Sequence, residues 1–173
     1  MTFSIKATIR ALVAPKHRLA CTPAFWNEVM GELDRRGERQ HEAGAFLLGP
    51  VVEGRRVATH AVYYDDLDPY AYTAGVCILY ADAFAKLWSI CRESGLTVVA
   101  DIHTHIGTAF QSIADKNNPM VARDGHIAII VPNMAAQPVP LQQIGIYEYR
   151  GNHQWFDRSP RVRRGFLYVG FWS

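Results

Sequence analysis

Residues Val98–Asp115 read VVADIHTHIGTAFQSIAD. The stretch opens as an apolar run and closes on two histidines, a serine and an aspartate within the 13 residues His103–Asp115. The apolar part predicts a largely buried strand, "LTVVADIHTH", that ends in the histidines. Residues i and i+2 of a strand project to the same face. His103 and His105 therefore aim at one point in space, Thr104 points away, and Asp101 shares the histidines' face.

Two neutral imidazoles on one point suit a zinc ion at ~2.0–2.1 Å. A third ligand must come from another element. Ser112 is a good helix N-cap, which puts Asp115 in the first helical turn, and the loop from Gly107 to Gln111 can fold that turn back over the strand end. His103, His105 and Asp115 would leave a fourth position open for water, as in catalytic rather than structural zinc sites. Taken singly, H-x-H also reads as an ordinary strand-end pair, and S-x-x-D as a capping box. Found together after a buried strand, they point to a metal.

A site of this kind needs a proton acceptor. Upstream, "HEAGAFLLG" places Glu42 at the mouth of an apolar strand. A carboxylate there that does not bind the metal could take a proton from metal-bound water and pass it to a leaving amine. By itself Glu42 reads as a solvated carboxylate, and Gly44 as a site of close backbone packing.

Other elements follow from the same patterns. "SIKATIRALV" is a plausible first strand. "CTPAFWNEVMGELDRR" predicts a helix capped by Thr22, with Pro23 in its first turn and Trp26, Val29, Met30 and Leu33 on one face. "EAGAFLLGPVVEGRRVATHAVYY" predicts two strands turned at Glu53-Gly54. "DDLDPYAYTAG" reads as a loop. "ADAFAKLWSICRESG" predicts a helix burying Phe84, Leu87, Trp88 and Cys91 and ending at Gly95. "HIAIIVPN", "QQIGIYEYRG" and "RGFLYVGFW" predict further strands. No repeat or linker interrupts residues 1–173, so the expectation is one layered α/β or α+β domain.

Composition fits a soluble globule, with 49% hydrophobic and 20% charged residues among 173. A formal net charge of +2 gives no ground for nucleic acid or an anionic membrane as partner. Lys6 and Arg10 interrupt what a leader would need as an apolar core, and no run matches a membrane span, so the expected location is the cytoplasm. Cys21, Cys77 and Cys91 are odd in number and scattered, reading as reduced thiols.

Glu42 with "GAFLLG", then His103-Thr104-His105, then Ser112 and Asp115, resemble the JAMM metalloprotease motif of MPN domains, E…H-[ST]-H…S-x-x-D. The order of strands and helices through about Val131 is compatible with it. The resemblance implies an MPN (JAB) fold, similar in layout to the cytidine deaminases: a mixed sheet flanked by helices. It implies a zinc isopeptidase or peptidase of the deubiquitinase type, which removes ubiquitin or a ubiquitin-like protein from conjugates or processes its precursor. Carried over by position, His103, His105 and Asp115 would hold Zn2+. Glu42 would be general base and then acid, and Ser112 would donate a hydrogen bond to the developing oxyanion.

The chain departs from the family in one loop. Ile106 stands where proline usually follows the second histidine, and six residues separate His105 from Ser112, one fewer than the commoner spacing. The stretch from Asp115 to His126 is too short for the large insertion with which some eukaryotic members choose among ubiquitin chain linkages. The chain looks like a compact bacterial member, of the kind that accompanies ubiquitin-like proteins and their activating and conjugating enzymes.

Two other function classes stay open: a non-catalytic MPN scaffold in a protein complex, and a zinc hydrolase acting on a small molecule. The scaffold typically lacks ligands that this chain keeps. The deaminase signature of H-x-E with P-C-x-x-C is missing. Asp101 reads either as a partner that orients an imidazole or as a residue meeting solvent or an arginine. His41, His60, His126 and His153 read as surface or capping residues. "RSPRVRRG" reads as a solvated strand mouth or a docking patch for an acidic partner.

Overall fold

The computed structural model describes residues 17–74, 77–162 and 165–171. The strand expected over residues 4–13 lies outside them. Strand β1 (Leu19–Cys21) leads into helix α1 (Pro23–Gly37), which starts as the sequence predicts: the Thr22 side chain accepts a hydrogen bond from the Phe25 N–H at 3.2 Å, and Pro23 occupies the first turn. Strand β2 (Gly44–Gly49) follows.

Two strands turned at Glu53-Gly54 were expected next; the structure divides that stretch into four. The turn is there, with both central residues at positive φ (51° and 74°), as a tight two-residue hairpin demands. It joins only the short strands β3 (Val51–Val52) and β4 (Arg55–Val57). Strand β5 (His60–Tyr63) then returns to pair antiparallel with β2. The chain leaves the sheet at Pro50, which has no N–H to give to a ladder.

The supposed loop after β5 begins with a one-turn helix, α2 (Tyr64–Leu67), followed by helix α3 (Ala81–Ser94). Helix α3 ends at Gly95 as expected, but Trp88 is 40% exposed. Its buried stripe is narrower, formed by Ala83 and Leu87 with Phe84 and Cys91 beside them, and Trp88 lies about 100° round from Leu87. Strand β6 (Thr97–Thr104), helix α4 (Ile113–Asn117) and strands β7 (Ile127–Val131), β8 (Gly145–Tyr149), β9 (Trp155–Asp157) and β10 (Leu167–Val169) complete the order.

The strands form two mixed sheets flanked by helices. The larger runs β5-β2-β6-β7-β8-β9, with β6 and β7 parallel and the other neighbours antiparallel. The smaller runs β10-β1-β4-β3. Alternation along the strands sorts the core. Ala45 and Leu47 of β2, with Ala100 and Ile102 of β6, pack with Trp26, Val29, Met30 and Leu33 of α1. Phe46 and Leu48 turn to the other face and pack with Tyr64, Leu67, Ala83 and Leu87. Each such fully buried leucine or isoleucine contributes about 1.5–3 kcal/mol. Asp101 and His103 alternate with Ile102 and so face the α3 side of the sheet, near the C-terminal end of β6.

Candidate metal centre

His103 and His105 converge at the end of β6. Their Nε2 atoms lie 3.1 Å apart. Asp115 reaches both: Oδ1 is 3.5 Å from His103 Nε2 and Oδ2 is 3.3 Å from His105 Nε2. With metal–nitrogen bonds of ~2.0–2.1 Å, the edge of a tetrahedron of ligand atoms is about 3.3–3.4 Å. The separations scatter about that edge, with His103 and His105 facing different oxygens of Asp115. One donor atom from each residue lies within 4.8 Å of the others, a set that could hold a single small cation, zinc among them. Three acceptors this close without a cation would be held only by shared protons.

The capping box places the third residue of this group. Ser112 Oγ accepts from the Asp115 N–H at 3.1 Å, and Asp115 Oδ2 accepts from the Ser112 N–H at 2.7 Å. The S-x-x-D stretch is thus a helix cap, and the cap aims the Asp115 carboxylate at the histidines. Burial works against the Asp115 charge, but His103 and His105 hold its carboxyl well below the usual carboxylate range.

Glu42 stands beside the triad, with Oε1 at 4.0 Å from His105 Nε2. It reaches that place because β2 pairs antiparallel with β6, with Gly44 opposite His103. A Cβ on Gly44 would collide with the Tyr64 ring, so the glycine permits the close approach. Thr104, which points away from the histidines, fixes the register: Ala43 N donates to its Oγ1 at 2.9 Å, and Thr104 N donates to Ala43 O at 2.8 Å. Burial raises the Glu42 pKa, opposed by the charges of His103 and His105.

Behind the triad is a second pair. Asp101, 2% exposed, has Oδ1 at 2.5 Å from Nε2 of His126, 5% exposed. Its Oδ2 faces His103 Nδ1 at 3.8 Å. Of the two readings of Asp101, the structure thus gives the one beside an imidazole. Burial disfavours a protonated His103, yet Asp101 and Asp115 overcome it and push its pKa up to about 10. His126 corrects the expectation of a surface or capping role. It sits just ahead of β7, beside Asp101 on the parallel neighbour β6, a proximity that no sequence spacing reveals.

The loop from Ile106 to Gln111 is tied down at several points. Met134 N donates to His105 O and Asn133 N to Gly107 O, both at 2.9 Å. These donors belong to a turn in which Asn133, Met134 and Ala135 all have positive φ (54°, 55° and 58°). A left-handed conformation costs about 1–2 kcal/mol for each non-glycine residue, so this turn is strained next to the site. Tyr147 Oη donates to Ala109 O at 3.0 Å, and a Cβ on Gly145 would strike the same carbonyl. Trp155 Nε1 donates to Lys116 O at 3.2 Å, holding the end of α4. Sequence patterns gave no hint of these tethers. Ile106, at the start of this loop, is 74% exposed.

A cavity of about 740 Å³ opens on the site. Glu42, His103, Ser112 and Asp115 line its polar end, and Leu79, Phe84, Met120 and Trp155 its apolar wall. His41 stacks on Tyr72, and His60 bonds Thr59 on the surface; neither joins the site. In "RSPRVRRG", Arg158 pairs with Glu148, and Arg161 with Asp157 and Tyr147, while residues 163–164 lie outside the described set. Cys21, Cys77 and Cys91 are free thiols. No helix among the described residues is long and apolar enough to cross a membrane.

No family model matches the chain. It is 26% identical over 129 residues to the probable metalloprotease y4jG of Sinorhizobium fredii, covering 73% of this chain and 78% of that one. Its fold is similar to that of protein DSY2949 from Desulfitobacterium hafniense, with a TM-score of 0.61, 15% identity, and 88% of this chain and 94% of the other covered. A protein from Salinibacter ruber is also similar, with a TM-score of 0.55, 18% identity, and 80% and 87% covered.

Proposed function

We propose that this chain is a zinc metalloprotease of the JAMM type on an MPN fold, working in the cytoplasm as an isopeptidase that frees a ubiquitin-like protein from its conjugates or precursor. One observation carries the reading: two imidazoles and a carboxylate whose donor atoms approach to 3.1–3.5 Å, with a second carboxylate 4.0 Å from the second histidine. The sequence likeness to a protein named a probable metalloprotease supports a metal-dependent hydrolase of that broad kind. The JAMM-type motif residues, Glu42, His103, His105, Ser112 and Asp115, support the finer assignment.

His103, His105 and Asp115 would hold the ion. Zinc bound there would supply Lewis-acid chemistry and a more acidic water, whose pKa falls from ~15.7 towards ~7 on such an ion. Glu42, with its pKa raised by burial, would take up a proton from the attacking water and return it to the leaving amine. Ser112 Oγ already accepts from the Asp115 N–H, so its hydroxyl hydrogen is left to donate to the carbonyl oxygen as charge develops there. One such donor is worth about 3–4 kcal/mol. The extended tail of the substrate would reach the ion through the apolar side of the cavity, with main-chain hydrogen bonds to an exposed strand edge. The activating and conjugating enzymes of the same system are the expected further partners.

A second reading, a zinc hydrolase of small molecules, draws on the cavity, whose volume of about 740 Å³ falls in the ~300–1,000 Å³ range of ligand pockets. The test is one panel: the zinc-loaded chain with ubiquitin-like fusions and isopeptide conjugates, and with free amides and nucleobases. Cleavage at the end of the ubiquitin-like tail, abolished by chelation, is the expected result. Turnover of small substrates alone would transfer the assignment to the second reading. Neighbouring genes for a ubiquitin-like protein and its conjugating enzymes would name the substrate.

A further inference from the structure

His103 Nδ1 is buried and has no hydrogen-bond partner. Such an atom normally finds one, because an unsatisfied buried donor costs about 1–3 kcal/mol. Among the described residues, the carboxylate facing it is Asp101, with Oδ2 at 3.8 Å, which a small rotation of either side chain brings into range. Asp101 is in turn gripped from its other oxygen by His126 Nε2 at 2.5 Å. Asp101 and His103 share a strand face by their i, i+2 spacing, and His126 arrives from just ahead of the neighbouring parallel strand.

We infer that Asp101 and His126 form a buried positioning pair for the metal centre: Asp101 accepts the Nδ1–H of His103 and turns its Nε2 lone pair towards the ion, while His126 holds Asp101 in that attitude. The inference rests on the metal-centre reading above and adds two residues to it. The chemistry is general. A metal-bound imidazole is fixed in tautomer and orientation by what its other nitrogen donates to, and a carboxylate there also raises its basicity. Asp101 is not one of the three candidate ligands and, although it lines the cavity, is 2% exposed, so it acts through His103, and His126 acts through Asp101. The strand end carries His103 in either case; the pair decides which of its nitrogens is offered.

The test is zinc affinity of the full chain, measured by competition with a chromophoric chelator and expressed per folded molecule by circular dichroism. The d–d spectrum of the cobalt-loaded protein is the second readout. Asp101→Asn should weaken zinc binding by about 10–100-fold and alter the cobalt spectrum. His126→Leu should weaken it less, and His126→Gln, which keeps a donor near the Nε2 position, should restore it. The double variant Asp101→Asn/His126→Leu should bind no worse than Asp101→Asn alone, because the second residue acts through the first.

A purely structural role would lower the melting temperature of the metal-free protein and leave the affinity of folded molecules unchanged. Unchanged affinity and spectrum in Asp101→Asn would overturn the inference, as would additive effects in the double variant. Should Asp101→Asn fail to fold, the two His126 variants decide alone, and equal zinc affinity in both defeats the pair. Failure of the wild type to bind zinc would instead remove the metal centre itself.

Discussion

The Thr104 hydroxyl accepts the Ala43 N–H at 2.9 Å, so the residue between the two histidines ties down the chain one position after Glu42. The same side chain is fully buried, and its backbone N–H returns a bond to Ala43 O. A hydroxyl between the histidines thus ties the end of β6 to the chain that carries the Glu42 carboxylate ahead of β2.

Thr104→Val keeps the shape and removes the acceptor. The buried Ala43 N–H is then unsatisfied, and stability should fall by about 1–3 kcal/mol in urea unfolding. Turnover should fall as Glu42 loses its anchor, while zinc content holds. Thr104→Ser should recover both. A Val variant as active and stable as the wild type would remove the link to Glu42.

In the proposed mechanism Glu42 moves protons without holding the ion. Glu42→Gln should keep full zinc content by elemental analysis and lose about 10²–10⁴-fold in kcat. His103→Ala should lose the metal as well as the activity. Equal cleavage by wild type and Glu42→Gln would defeat the general-base assignment.

Ser112 caps α4 and, in the proposed mechanism, also donates to the oxyanion; a single variant separates the two. Glycine at an N-cap costs only a few tenths of a kcal/mol relative to serine. Ser112→Gly should therefore melt close to the wild type but lose about 10²–10³-fold in kcat with the missing hydroxyl. Full activity in that variant would leave Ser112 as a cap and nothing more.

The metal-free protein should respond to pH on both sides. His103, pushed up to about 10 from 6.5, contributes stability that is complete below pH 6.5 and is lost as pH rises through the folded value. Asp115, held below its ordinary 3.8, contributes stability that is present above that pH and is lost as pH falls. Chelated protein should thus be most stable between these two limits in denaturant melts. Because His103 must shed its proton to bind metal, zinc binding at neutral pH should release a proton, measured by calorimetry in buffers of different ionisation enthalpy. Heat independent of the buffer would contradict this.

Local sequence determined much of this molecule. The buried strand into His103 and His105, the Ser112 cap, the α1 face and the Gly95 stop were legible because each depends on residues a few positions apart, where strand alternation and helix spacing act directly. The pairing of Glu42 with the histidine strand was legible only through resemblance. Its physical cause, the Gly44–His103 register pinned by Thr104, joins residues about sixty positions apart. Tertiary structure alone decided that His126 is buried against Asp101, that Trp88 stays exposed, and that the left-handed turn at Asn133–Ala135 holds the loop after His105. Those outcomes depend on which strands become neighbours, and pairing between distant segments is set by the packing of the whole sheet rather than by the pattern of any one stretch.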